Sequence, residues 1–120
     1  AAERLATART LTDLQEGLAI LLRRSEFDEV VLVVTTGKEM RGSSRAWCLR
    51  DGRFALDWPP RRPDEWEVVC PFDGDGWRGE LHLRRRLGRR SLLLDLNLML
   101  DIVQPALTQA ARGIPRPDVP

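Results

Sequence analysis

Residues 29 to 35 read Glu-Val-Val-Leu-Val-Val-Thr, apolar and β-branched nearly throughout. A strand wetted on one side alternates apolar with polar residues. One that fails to alternate is covered on both faces. This run therefore predicts a strand at the centre of its sheet, and the rest of the chain must supply neighbours and cover.

The neighbours come as hairpins. Residues 45 to 50 and 53 to 58 alternate around Asp51-Gly52, a pair suited to a tight primed turn. Alternation puts Trp47 and Leu49 on one face of the first arm, and Phe54, Leu56 and Trp58 on one face of the second. The proline-rich stretch 59 to 63 cannot donate to a ladder and breaks the chain into a loop. A second hairpin, 65 to 72 and 77 to 85, follows around Asp-Gly-Asp-Gly, with Trp66, Val68, Cys70 and Phe72 on one side and Trp77, Gly79, Leu81 and Leu83 on the other arm.

The cover comes from the ends. Leu11, Leu14, Leu18, Leu21 and Leu22 recur at helical spacing over 10 to 24, with Thr10–Asp13 or Thr12–Gln15 as the cap and Arg23 and Arg24 at the C-terminal end. Residues 91 to 113 predict a second helix, capped by Ser91, stopped by Gly113 and bent at Pro105. The expected fold is α+β: a five-stranded, mostly antiparallel sheet with both terminal helices packed together on one face. Residues 1 to 113 form the domain and 114 to 120 a tail or linker.

A chain of 120 residues suits one domain. It has no initiator Met and no signal-peptide pattern, and reads as an excised piece of a longer protein. The densest apolar segment, 92 to 103, is interrupted by Asp95, Asn97 and Asp101 and predicts a buried helix, not a membrane span. Cys48 and Cys70 fall in predicted strands and read as small buried hydrophobes of a reduced cytoplasm. With one histidine, His82, and no Cys-x-x-Cys, a zinc site lacks soft ligands. A net charge of +1 is too small for a nucleic-acid binder.

The run from Arg84 to Arg90 concentrates basic charge: Arg84, Arg85, Arg86, Arg89 and Arg90. On the strand reading Arg84 projects into solvent, and the other four lie in the turn before the last helix. Two readings follow. One is an anion or lipid-headgroup contact at the helix N-terminus. The other is a solvated seam guarding an edge strand. Of the 19 basic residues only Lys38 is not arginine, so the composition discounts any single arginine cluster. No aromatic residue is interleaved after Trp77, which argues against nucleic acid.

No other group assembles a reaction. Asp73 to Gly76 with Glu80 is too short for a calcium loop and reads as a hairpin turn. Cys48 and Ser43 have only His82 as a candidate base, and nothing marks an oxyanion hole. No catalytic residue, cofactor or metal is expected in this chain. The excess is hydrophobic: the last helix carries more leucine than packing on a sheet requires. Leu93, Leu96, Leu100, Val103 and Leu107 are therefore expected at a homodimer interface made from the terminal helices. Trp47, Trp58 and Trp66 are the candidates for lining a pocket.

The α-β-β-β-β-β-α order, with Gly79, Leu81 and Leu83 in a Gly-x-Leu-x-Leu pattern before a Leu-rich closing helix, resembles GAF-type sensory domains. More narrowly, residues 8 to 34, the spaced tryptophans, and residues 79 to 85 with 92 to 107 are similar to the soluble C-terminal extension of some bacterial glycosyltransferase family 4 proteins. Those are membrane enzymes that transfer a sugar 1-phosphate to a polyprenyl phosphate. The resemblance implies a non-catalytic regulatory or dimerisation domain at the cytoplasmic face of the membrane, beside a membrane domain of the same chain. It places the catalytic aspartates and metal site outside these residues. The alternative is a small-molecule-sensing GAF-type module of a signalling protein. Against it, the loops are too short to roof a ligand pocket.

Overall fold

The computed structural model describes residues 7–23, 27–36, 44–74, 76–86 and 99–114. The first helix, α1 (Leu11–Leu22), starts where the sequence caps it: Thr10 Oγ1 accepts the Asp13 N–H at 3.1 Å, and the Asp13 carboxylate reaches back to the Arg9 N–H at 3.4 Å. It ends slightly earlier than expected, with Arg23 at the C-cap. Leu14, Leu18 and Leu22 are buried and Leu11 and Leu21 pack beside them, so all five predicted leucines reach the core.

Five strands follow: β1 (Glu29–Thr36), β2 (Ser44–Arg50), β3 (Arg53–Leu56), β4 (Glu65–Asp73) and β5 (Trp77–Arg86). They form one sheet in the order β3-β2-β1-β5-β4, every pair antiparallel, with β1 in the middle. Asp51 and Gly52 both take positive φ (51° and 79°), as the two central positions of a type I′ turn require. The β4–β5 hairpin closes through Gly74, whose N–H donates to the Trp77 carbonyl at 2.9 Å.

One face of the sheet carries both helices. Its rows include Val30–Leu83–Val68, Leu32–Leu81–Cys70 and Val34–Gly79–Phe72, and Leu32 lies beside Trp47. A Cβ on Gly79 would overlap the Phe72 ring, so glycine lets Phe72 lie across its own partner strand and meet Trp77 edge-on at 5.8 Å. That is the physical content of the Gly-x-Leu-x-Leu pattern. The Trp77 indole N–H in turn donates to the Ile114 carbonyl at 3.1 Å, pinning the end of the last helix.

The last helix differs from expectation at its bend. A π-turn at Met99–Val103 precedes α2 (Gln104–Gly113), and Pro105 stands in the first turn of α2. Pro105 has no N–H to continue the ladder, and the π-turn just before it is a local change of register of the kind that accommodates a proline ring inside a helix. Val103, Ala106, Leu107, Ala110 and Ala111 are buried against the sheet. The expected cap at Ser91 lies outside the described residues. Among the described residues no helix is long and apolar enough to cross a membrane.

The opposite, outer face explains why β1 does not alternate: Val31 and Val33 form a small buried cluster there with Ala46 and Cys48. β3 and β4 occupy opposite edges, so residues 57–64 must travel the width of the sheet. Pro59 accepts a hydrogen bond from Arg84, on the outer face, which fixes the crossing strap to that side.

Candidate functional site

Among the described residues, the strongest concentration of charge in contact lies on this outer face. Arg84, expected to point into water, is 3% exposed. β5 runs further than its apolar pattern suggests, and its alternation turns Arg84 to the outer face and Arg85 to the helix face, opposite Trp66. The Arg84 guanidinium bridges its two cross-strand neighbours: Nη1 to Glu29 Oε1 at 2.6 Å and Nε to Glu67 Oε2 at 2.6 Å. Nη1 also donates to the Pro59 carbonyl at 2.5 Å. His82, one row along, stands between Glu67 (Nδ1 to Oε1, 3.2 Å) and Glu80 (Nε2 to Oε1, 3.3 Å). Its side chain is 14% exposed.

These neighbours set the ionisation. Burial works against the Glu67 carboxylate, but the hydrogen bond from Arg84 and the neighbouring His82 outweigh it and hold the carboxyl below its usual range. For Arg84, burial disfavours the cation, and the bonds to Glu67 and Glu29 more than restore it. Through Arg84 the ladder ties β1, β4, β5 and the proline strap together, while His82 Nδ1, close to Glu67, is left without a hydrogen bond.

It does not assemble a nucleophile. Cys48, Val31 and His82 share one row, with β1 between the thiol and the imidazole. Two strand spacings put them about 10 Å apart, beyond any proton transfer. Burial pushes the thiols of both Cys48 and Cys70 up, away from the reactive thiolate. Among the described residues no three histidine, cysteine or acidic side chains converge to hold a metal ion.

The expected anion site is corrected in part. Arg84 is committed to carboxylates, and Arg85, 1% exposed, lies inside the helix-side layer, so neither guanidinium faces solvent. Arg86 is exposed, and its backbone N–H donates to Asp28 at 2.7 Å. Arg89 and Arg90 lie outside the described residues. Of the leucines expected at a helical interface, Leu93 and Leu96 also lie outside, as does the side chain of Leu100. Val103 and Leu107 are fully buried in the chain's own core. The three tryptophans are not gathered: Trp47 lies on β2, Trp66 packs edge-on against Phe27 at 6.3 Å, and Trp58 is 53% exposed. None of them lines either of two open grooves. The larger groove, about 640 Å³, runs between α1 and the β2–β3 turn and includes Glu16, Ala19, Ile20, Arg23, Arg53 and Phe54 in its lining.

Sequence reasoning missed Glu29, Glu67 and Pro59. The signal was present in the alternation, which puts Glu67 on the polar side of β4 and Arg84 on the polar side of β5. Only the register shows that they face each other. Comparison with protein-family models, curated proteins and solved structures finds no match for the chain.

Proposed function

We propose that this chain is a non-catalytic assembly and regulatory domain, of the GAF-like kind appended to membrane enzymes that transfer a sugar 1-phosphate to polyprenyl phosphate. One observation carries the assembly part. The charged side chains around Arg84 are turned inward as structural pairs, while large apolar ones are left outside: Leu56 is 65% exposed and Trp58 53%, with Ile20 on α1 at 41%, and Ile102 (43%) and Val69 (39%) are exposed elsewhere. Exposed apolar surface gathered in one region is where soluble domains meet partners. The sheet with both end helices on one face fits the resemblance of Gly79, Leu81 and Leu83 to GAF-type domains. The open, short-looped surface speaks for a protein partner over an enclosed small ligand.

The experiment is made on the full natural chain, in membranes, with and without residues 1–113. Removing the domain is expected to change oligomeric state or the regulation of sugar-1-phosphate transfer while leaving the chemistry possible. A full chain with no apolar spans, or without transferase activity, would overturn the assignment of the parent enzyme.

A further inference from the structure

The β3 edge is complementary to itself. Asp57 N–H donates to the Ala46 carbonyl at 3.1 Å, which makes that pair hydrogen-bonded and sets the alternation along β2–β3. Cys48–Ala55 and Arg50–Arg53 then bond inward, and the amide groups of Phe54 and Leu56 point away from the sheet. β3 ends the strand order, and no strand among the described residues takes up that edge. The opposite edge differs. By the same alternation, set there by the Gly74–Trp77 bond, Pro71 is an outward position of β4 and has no N–H to offer.

We infer that a second copy of this chain pairs antiparallel with β3, across a two-fold axis at Ala55, to make one continuous sheet. The inference rests on the assembly reading above and names its partner. With the axis at Ala55, Phe54 faces Leu56 of the other copy, and each exchanges with it the amide groups that β2 leaves unused. On the outer face the same axis sets Arg53 opposite Asp57 of the other copy, and Asp57 opposite its Arg53. Those are non-hydrogen-bonded positions, where directly opposed side chains come closest. Both residues are exposed. Asp57 already holds Arg50 of its own chain at 2.7 Å, and Arg53 forms no ion pair among the described residues. An edge defended against pairing carries like charges, which a two-fold axis would set against each other. This edge carries opposite charges at related positions.

The helix side matches too. Leu56 projects where the partner presents Phe54, which lines the groove with Ile20, and the exposed Trp58 follows two residues on, past the end of β3. A small alanine sits on the axis itself. The exposed apolar side chains of one copy thus fill the groove of the other, and the arrangement is isologous, closing after two copies.

The test is sedimentation equilibrium of the 120-residue chain at neutral pH and low salt, up to about 1 mM. The unaltered chain is expected to move from 13.7 kDa toward twice that mass. Arg53→Glu alone sets two carboxylates against each other across the axis, and Asp57→Lys alone sets two cations against each other. Each is expected to weaken the dimer roughly tenfold. Mixed in equal amounts, the acidic-edged variant pairs with the basic-edged one, and the heterodimer should regain most of the original affinity, because one of its two contacts is attractive between the introduced acid and the introduced lysine and the other is the native pair. Leu56→Pro removes an outward amide without touching the β2–β3 ladder. It should remain folded by circular dichroism and sediment as a monomer. A chain that stays monomeric throughout overturns this interface and the assembly reading together. A dimer indifferent to all three variants leaves assembly standing and overturns the β3 edge.

Discussion

Replacing Arg84 by methionine keeps much of its length and apolar contact but removes the cation between Glu29 and Glu67. Both carboxylates then lose a 2.6 Å partner, and the Pro59 carbonyl loses its donor. Removing one member of a buried ion pair costs about 3–5 kcal/mol. Here Glu29 and Glu67 keep side-chain exposures of 21% and 20%, and water screens part of the loss, so the lower end, about 3 kcal/mol, applies. For a domain of this length that is a fall in melting temperature of about 12 °C at pH 7. The acid response separates this cause from simple loss of packing. In the unaltered chain the Glu67 carboxyl is held below its usual range, so its stabilisation is complete above the ordinary carboxylate pKa and is lost as pH falls through the folded value. Without Arg84, burial is opposed only by His82, and protonating Glu67 relieves a charge instead of breaking a bond. The gap between the two proteins should therefore narrow below about pH 4. Calorimetric scans from about pH 3 to 8 measure it. Equal melting at neutral pH, or a gap untouched by acid, would show that the ladder does not hold the strap to the sheet.

Gly79→Ala should destabilise the domain by about 2 kcal/mol in urea, because the new methyl meets a ring already packed against Trp77; Phe72→Leu in the same background should recover part of it. Thr10→Ala deprives the Asp13 N–H of its acceptor and should cost about 1 kcal/mol, while Thr12→Ala should cost little, since α1 is capped at Thr10. Cys48 and Cys70, both buried with thiols pushed up, should react slowly with an alkylating reagent at neutral pH and gain the rate of an ordinary cysteine only on unfolding.

The elements that sequence reveals are those governed by local rules. The β1 run, the Asp51-Gly52 turn and the Thr10 cap each involve neighbours within a few residues, and each stands where its local chemistry puts it. Arg84 shows the limit. Its partners, Glu29 and Glu67, are 55 and 17 residues away, and only the register brings them together. Read alone, an arginine run at a strand end resembles a wet seam. Placed between two acidic strands beneath a proline strap, it becomes part of the interior. Val103 and Leu107 teach the same lesson in apolar form: the helical pattern marks them as apolar, but only the fold shows that they face the chain's own core.

The two edges of the sheet also follow from how the chain crosses it. The strap from β3 to β4 runs over the outer face, where Arg84 binds Pro59, and so leaves the helix side of β3 uncovered beyond the reach of α1. Leu56 and Trp58 are exposed because the chain turns away toward the strap just after β3 ends. At the far edge, α2 packs over the β4 side, and Pro71 stands at an outward position. The crossover leaves the β3 edge open, and at the β4 edge Pro71 takes away one outward amide. The open one combines outward amides, apolar side chains and opposite charges about Ala55. Arg53 and Asp57, two residues to either side of that alanine, are the charges on which the pairing depends and through which the charge-reversal variants test it.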